Sequence, residues 1–272
     1  MKRATVLEQV STPDGSTMAL VERDGEYLIR VNGRELMSTR HSYSEEQLGV
    51  VACQARAQVK GARVLIGGLG LGFTLRAALG QLARDARVTV AELIPEVITW
   101  NRNPAYPLAA SALADPRTRV VIGDVADIMA RSEDRFHAIM LDADNQTTSM
   151  NTAGNTSLYY PAGIAKVWRK LEPGGTVVYW SAGEDPLLAK RLAASGFESE
   201  VHRVRKHPTG GGFHWLVAGH RRRGGVERGA AGTAAPDRST PATGERRPGR
   251  ARSTPDPLSG RSSFSRRRSD RP

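Results

Sequence analysis

A glycine-rich turn and one acidic residue have the spacing of a ligand site. The apolar segment 63–66 is followed by Gly67-Gly68-Leu69-Gly70-Leu71-Gly72, and Glu92 follows the next apolar segment, 88–91. Glycines allow a tight turn and let a ligand approach the backbone closely. A carboxylate at the end of the following strand can accept both hydroxyl hydrogens of a ribose. This spacing predicts that Gly67, Gly68, Gly70, Gly72 and Glu92 bind a nucleoside-containing ligand.

Further acidic residues follow the later apolar segments. Gly123-Asp124 comes after 119–122, and Asp142 and Asp144 come after 138–141. Ligands of open α/β sheets bind at the carboxyl ends of the strands. Asp142 and Asp144 are therefore candidate catalytic residues, because either carboxylate could act as a general base. Helix capping or a link to the ligand's backbone is an equally good interpretation of Asp142, and turn formation is the alternative for Asp144.

From residue 63 onward, short apolar segments alternate with helical ones, which predicts a mostly parallel sheet covered on both faces. This is an α/β, Rossmann-like fold. Two last apolar segments flank a Pro- and Gly-rich loop and predict an antiparallel hairpin at one sheet edge. Strands are expected at 63–67, 87–92, 118–122, 136–141, 175–181, 197–204 and 213–218, and helices at 72–83, 95–102, 124–131 and 158–171.

The segment before this alternation predicts a small antiparallel β-meander. Residues 17–39 contain Asp24-Gly25 and Asn32-Gly33 between apolar runs, and both pairs favour hairpin turns. Ser44 with Gln47 fits a capping box for a helix running to about Lys60. We therefore expect a small N-terminal β-domain over 1–43 and a nucleoside-binding domain over 44–220.

Basic residues are concentrated at the C-terminus. Of the 39 Lys and Arg residues, 14 lie in 221–272, together with 5 of the 28 acidic residues, so this segment carries +9 of the net charge of +11. Its few apolar residues cannot offset the entropy of ordering, so the sequence predicts a disordered tail. A solvated tail is favoured over a nonspecific nucleic-acid arm or a contact with an acidic protein or lipid surface.

The composition excludes several kinds of site. A single cysteine, Cys53, excludes an internal disulfide and a cysteine-rich zinc site, and its apolar helical surroundings predict a buried core residue. The histidines lack a compact metal-ligand spacing, so no metal is expected. No apolar run approaches the length of a membrane span, and no signal peptide is evident. We expect a cytoplasmic protein that does not bind membranes.

The motifs resemble those of a known superfamily. The glycine turn, Glu92, Gly123-Asp124 and Asp142-Ala143-Asp144-Asn145 are similar to the class I S-adenosylmethionine-dependent methyltransferase-like superfamily. Within it, residues 15–219 look most like the spermidine synthase (polyamine aminopropyltransferase) family, whose members have a small N-terminal β-domain and a Tyr-x-Glu stretch like Tyr43-Ser44-Glu45.

The resemblance implies a ligand and a reaction. Glu92 would hold the ribose and Asp124 would contact the adenine amino group of S-adenosylmethionine or its decarboxylated form. The activity implied is aminopropyl transfer to a small amine, which Asp142 and Asp144 would bind and deprotonate. Because the family often dimerises, a homodimer is a further expectation.

Four residues are candidates for the amine acceptor site. His41 and Tyr43 lie at the junction of the two domains, and Asn145 and Tyr159 follow the fourth predicted strand of the parallel sheet. Packing or loop hydrogen bonding is the alternative for His41 and Tyr43, and helix capping is the alternative for Tyr159.

Two positions depart from the family pattern. The family usually has Asp where this chain has Gly70, and a second acid where it has Asn145. An amide cannot act as a general base, although the adjacent Asp144 could substitute. Two alternatives therefore stay open. One is an S-adenosylmethionine-dependent methyltransferase, and the other is a catalytically silent nucleoside-binding protein with a nucleic-acid-binding tail.

Overall fold

The computed structural model describes residues 4–142 and 157–224, which form two β-sheets and their covering helices. The N-terminal sheet is antiparallel, and its strands pair in chain order. These strands are β1 (Thr5–Ser11), β2 (Thr17–Arg23), β3 (Glu26–Val31) and β4 (Arg34–Ser38).

The second sheet has seven strands in the order β10-β11-β9-β8-β5-β6-β7. Strands β9, β8, β5, β6 and β7 are parallel, and β10 and β11 add an antiparallel hairpin at one edge. The predicted α/β, Rossmann-like fold is confirmed. The strands are β5 (Arg63–Gly67), β6 (Arg87–Glu92), β7 (Thr118–Ile122), β8 (Phe136–Leu141), β9 (Leu171–Ser181), β10 (Glu198–His207) and β11 (Gly210–His220).

Helices cover both faces of this sheet. None of the helices in residues 4–142 and 157–224 is long and apolar enough to cross a membrane. They are α1 (Tyr43–Cys53), continued by a 3-10 turn at Gln54–Arg56, then α2 (Phe73–Gln81), α3 (Pro95–Arg102), α4 (Ala110–Leu113), α5 (Val125–Arg131), α6 (Pro161–Lys170) and α7 (Pro186–Ala194).

The hairpin turns of the N-terminal meander follow from their sequence. Asp24 and Gly25 have φ values of 59° and 78°, and Asn32 and Gly33 have φ values of 50° and 78°. Two-residue hairpins of this kind need positive φ at both central positions, which Asp, Asn and Gly tolerate. The meander is confirmed, with β1 as an additional strand whose half-exposed side chains gave no clear alternation in the sequence.

Two apolar clusters form the core, one on each face of the large sheet. One cluster includes Cys53, Trp100 and Trp180 with the meander, α1 and α2, and the other includes Trp168 and Tyr179 with α6 and α7. Cys53 is fully buried, as predicted, and burial raises the pKa of its thiol to about 12. It therefore stays protonated and unreactive at neutral pH.

The prediction for the start and end of α1 was wrong. The N-cap is Ser42, whose Oγ donates to Glu46 Oε1 at 2.8 Å, and Ser44 lies inside the helix. Regular α-helix ends at Cys53, well before Lys60. Arg56, in the following 3-10 turn, donates to the Gly174 carbonyl and, at 2.9 Å, to Thr176 Oγ1. Contacts with β9 accompany the end of the helix, and sequence spacing does not reveal them.

Candidate functional site

The glycine turn follows β5, at the point where the strand order of the sheet reverses. β6 lies on one side of β5, and β8 lies on the other. Such a switch point leaves a crevice at the carboxyl ends of the strands. Gly68, Gly70 and Gly72 have φ values of 95°, 52° and 77°. Side chains with a Cβ rarely adopt these values, so the turn needs glycine. The turn therefore presents bare backbone to the crevice.

Glu92, the last residue of β6, is bonded to this turn. Its Oε2 accepts the Leu69 N–H at 2.8 Å, and its Oε1 accepts the Ile94 N–H at 2.9 Å. Burial raises the pKa of Glu92, and the nearby backbone N–H groups oppose that rise. The carboxylate thus fixes the position of the turn. Contact of Glu92 with a ribose stays a prediction.

A residue that sequence reasoning missed holds the same turn from the other side. The Asn101 amide donates to the Gly70 carbonyl at 2.7 Å and to the Val97 carbonyl at 2.8 Å. Asn101 is only 1% exposed. The available signal was an Asn within the apolar face of α3, because a buried amide requires partners.

Asp124 lies at the end of the neighbouring strand. Gly123 N–H donates to the Glu92 carbonyl at 2.8 Å, so the ends of β6 and β7 are joined. Asp124 is the N-cap of α5, and its Oδ1 accepts the Ala126 N–H at 2.7 Å. The structure therefore brings both predicted nucleoside acids to adjacent strand ends. Contact of Asp124 with adenine stays a prediction.

Asp142 meets the glycine turn from the opposite side. Its N–H donates to the Gly67 carbonyl at 3.2 Å, and a Cβ on Gly68 would lie 3.2 Å from the Asp142 carbonyl oxygen. Gly68 thus lets the end of β8 approach the turn. Asp144 and Asn145 lie outside the described residues, so their predicted roles stay predictions.

The departure at position 70 has a structural counterpart. A Cβ on Gly70 would lie 2.6 Å from Met37 Sδ and 2.7 Å from Met37 Cε. Met37 belongs to β4 and covers the turn from the meander. The space that an Asp would need at this position is therefore filled by a thioether.

A buried polar network connects α1 with the C-terminal hairpin. Ser44 Oγ lies 2.5 Å from Glu45 Oε2 and 2.8 Å from His214 Nδ1, and the Trp180 indole N–H donates to it at 3.3 Å. The single hydroxyl proton goes to the carboxylate, which can only accept. His214 Nδ1 must then donate to Ser44, which leaves its Nε2 without a proton.

His214 is neutral at physiological pH in this setting. Its imidazole packs edge-on against Trp180 with the ring centroids 4.5 Å apart. Burial, together with the positive charges of Lys206 and His41, lowers its pKa to about 4. His214 precedes Trp215, which pairs with Ser181 at the end of β9, so it lies at the carboxyl edge of the sheet.

His41 lines a cavity of about 300 Å³ between the meander and the β10–β11 turn. The remaining lining residues are Arg40, His207, Thr209, Gly210 and Gly211. Tyr43 is half-buried and begins α1, two residues after His41 in the chain. The predicted substrate roles of His41 and Tyr43 stay predictions, and His41 lies at a concave surface.

Tyr159 lies in the core cluster on the opposite face of the sheet from Trp180. It is 6% exposed, and its ring packs edge-on against Tyr179 with the centroids 4.9 Å apart. Its carbonyl accepts a hydrogen bond from Arg191 at 3.2 Å. Its predicted substrate contact stays a prediction, and this burial favours a packing role.

Solved structures share this architecture. A spermidine synthase in complex with the transition state analogue AdoDATO matches with a TM-score of 0.62 at 19% identity, covering 80% of this chain and 73% of the other. A spermidine synthase from Thermotoga maritima matches with a TM-score of 0.61 at 19% identity and the same coverage. A probable spermidine synthase from Corynebacterium glutamicum matches with a TM-score of 0.51 at 18% identity, covering 81% of each chain.

The chain has a spermidine-synthase-like fold. No protein-family model matches it, and a search of curated proteins found no significant sequence match. At this level of identity the likeness is one of fold. Within the described ranges, no group of three or more His, Cys, Asp or Glu side chains is arranged to hold a metal ion.

Proposed function

We propose that this protein is a transferase that uses an adenosyl sulfonium donor to modify a small amine, in the manner of an aminopropyltransferase. The observation that supports this most is the bond between Glu92 and the glycine turn at the switch point of the sheet. It holds bare backbone and a carboxylate on the same side of one crevice. The shared fold with spermidine synthases supports the same donor class.

The residues around the crevice bind and orient the donor. The turn, Glu92 and Asp124 bind the nucleoside and hold it in one orientation, which lowers the barrier by fixing the approach of the two reactants. The donor supplies an alkyl carbon already activated by a sulfonium. The acceptor nitrogen bonds to that carbon as the carbon–sulfur bond breaks, and a neutral thioether leaves.

The attacking amine loses a proton in this reaction, so the site needs a proton acceptor. Asp142 is the candidate among the residues that the structure describes, because it follows β8 and its N–H donates to Gly67 of the glycine turn. Its carboxylate takes the proton released when the nitrogen–carbon bond forms. Asp144 is a second candidate from the sequence.

Methyl transfer from S-adenosylmethionine is the second candidate function, and one observation favours it. Met37 fills the space beside Gly70, where related aminopropyltransferases are expected to have an acid. Without that acid, the turn lacks a carboxylate for the ammonium of an aminopropyl group. This loss reduces the preference for the decarboxylated donor.

Calorimetry with methylthioadenosine, S-adenosylmethionine and decarboxylated S-adenosylmethionine tests the donor. We expect binding of methylthioadenosine and one of the two sulfonium compounds, and the preferred one separates aminopropyl from methyl transfer. A protein that binds none of the three compounds would overturn the proposal. Binding without product from a pool of small amines would point to a silent nucleoside-binding protein.

Replacing Asp142 tests the proton acceptor. Asp142→Asn should reduce kcat by roughly 100-fold or more while donor affinity changes little, because an amide cannot take the proton. Product formation is followed by mass spectrometry. Asp127→Asn, at an exposed position of α5, is the matched control. A variant that loses donor affinity and keeps kcat would make Asp142 a binding residue only.

A further inference from the structure

The cavity beside His41 has the wrong charge for a polyamine. Arg40, His41 and His207 supply cationic or protonatable side chains to its wall, and Thr209 supplies a hydroxyl. Among the described residues that line it, none is Asp or Glu. A site for a diamine or a longer polyamine needs acceptors for ammonium groups, and this wall offers mainly donors.

Two carboxylates on neighbouring segments, Glu26 and Glu45, have partners of their own. Arg40 Nη1 lies 3.8 Å from Glu26 Oε1, a loose ion pair that leaves the other guanidinium donors available. Glu45 is buried and accepts the Ser44 hydroxyl proton. Neither residue lines the cavity.

The pKa of the buried His214 is affected by the same positive environment. The charges of Lys206 and His41 both act on His214 and disfavour its protonated form. A Cβ on Gly211 would lie 3.5 Å from Lys206 Cβ and 3.6 Å from His41 Cδ2, so the hairpin turn brings these residues together. Gly211 and Gly212 have φ values of 83° and 84°, which keep the turn narrow at this point.

Met37 connects this segment with the glycine turn. It lies three residues before Arg40 and covers Gly70 with a thioether. The acid expected beside the reacting group is thus missing, and Arg40 and His41 follow in the adjoining segment. A carboxylate accepts charge-assisted hydrogen bonds from an Arg guanidinium and further hydrogen bonds from imidazole N–H groups.

We propose that the cavity formed by Arg40, His41, His207 and the Gly210–Gly211 backbone binds a carboxylate of one of the two substrates. This inference rests on the proposed transferase function and narrows it. The carboxylate belongs either to the amino-acid part of an S-adenosylmethionine donor or to an amine acceptor of the amino-acid type. A plain diamine lacks the group for which this cavity is built.

Two matched pairs of ligands distinguish the sources. The donor pair is S-adenosylmethionine and its decarboxylated form. The acceptor pair is L-ornithine and 1,4-diaminobutane, which differ by one carboxylate, each titrated with and without saturating methylthioadenosine. Calorimetry should show at least tenfold tighter binding of the carboxylated member in one pair. Equal affinities in both pairs, or a preference for the decarboxylated members, would overturn the inference.

Variants of the cavity residues test whether the preference for the carboxylated ligand arises at this cavity. Arg40→Gln should reduce it to less than threefold, and His207→Gln should reduce it in the same direction. Both residues are outside the core, so the fold is expected to survive. Arg34→Gln, at an exposed position of β4, should leave the preference unchanged. A preference that persists in both Arg40→Gln and His207→Gln would place the carboxylate elsewhere.

Methylthioadenosine separates this inference from the function on which it rests. The compound has neither a carboxylate nor an amino acid chain, so its binding reports the nucleoside site alone. If it fails to bind, the proposed function fails, and the two ligand pairs titrated without methylthioadenosine still decide the cavity. If it binds and neither pair shows a preference, only the carboxylate inference fails.

Discussion

Two regions at the same edge of the sheet are built by different means. The nucleoside region consists of Gly67–Gly72, Glu92 and Asp124, and its hydrogen bonds join strand ends within 60 residues of one another along the chain. The junction region consists of Arg40–Glu45, His207 and His214, and its bond from Ser44 to His214 spans 170 residues. The first region is local and the second is long-range.

This difference explains which residues could be found from spacing. The nucleoside region depends on backbone geometry, and the glycines that allow it are visible in the sequence. The junction depends on side chains that three separate elements bring together, namely α1, β9 and the β10–β11 hairpin. A histidine in a strand carries no sign of the hydroxyl it will meet.

The largest expected effect is a loss of stability when the backbone of the nucleoside region is altered at Gly72. Gly72 has a φ of 77°, and a Cβ there would lie 2.3 Å from Ala109 Cβ. Gly72→Ala should therefore lower the free energy of unfolding by about 2–4 kcal/mol, from strain and overpacking together. Urea denaturation measures the change.

Gly80→Ala, in the helix α2 that follows Gly72, is the matched control. A Cβ at Gly80 meets nothing within 4 Å, so this change should stabilise the protein by about 0.5–1 kcal/mol. Equal effects of the two substitutions would mean that the turn is not held as described.

The next effect addresses the carboxylate that holds the turn. Glu92→Gln should weaken methylthioadenosine binding by about 1–3 kcal/mol, because a buried acceptor is replaced by an amide that repels one of the N–H groups. Isothermal titration calorimetry measures the affinity. The exposed Glu133→Gln is the control and should bind normally. Unchanged affinity in Glu92→Gln would remove Glu92 from the ligand site.

The junction region should affect how the free energy of unfolding depends on pH. The pKa of His214 falls from 6.5 to about 4 on folding, so the unfolded chain binds a proton that the native protein rejects between these values. Stability contributed by neutral His214 is therefore present above pH 6.5 and is lost as the pH falls toward 4, by about 1–3 kcal/mol.

His214→Gln removes this titration, so the test is a difference between two proteins. The loss of unfolding free energy from pH 7 to pH 4 should be smaller in the variant than in the wild type. Titratable groups away from the Ser44 network titrate equally in both proteins, so their contributions cancel. Parallel pH profiles would show that His214 is not shielded from protonation in the native state.

The smallest expected effect comes from truncation after Gly224. Arg221 belongs to the folded part, because its N–H donates to the Gly175 carbonyl at 2.8 Å and its guanidinium donates to the Trp168 carbonyl at 2.8 Å. Removing 225–272 leaves these contacts and should change methylthioadenosine affinity by less than twofold. A large loss would assign the basic tail to the nucleoside site.

Most of the parallel strands could be predicted to the residue, because each is a short apolar run bounded by glycine, an acid or a basic residue. Strands β5, β6, β7 and β8 have the expected bounds. The start of α1 was misplaced, since Ser44 with Gln47 fits a capping box in sequence whereas Ser42 is the N-cap in the structure. The buried partners of Ser44 and the bond from Ser42 to Glu46 accompany the actual start.

The sequence by itself determined the backbone of the nucleoside region, because positive φ at Gly68, Gly70 and Gly72 is a local property of residues without a Cβ. It also determined the alternation that sets the sheet. Only the tertiary structure decided that Met37 covers Gly70, that Asn101 holds the turn and that His214 meets Ser44. These contacts depend on how distant elements pack, and the spacing of residues along the chain does not encode that directly.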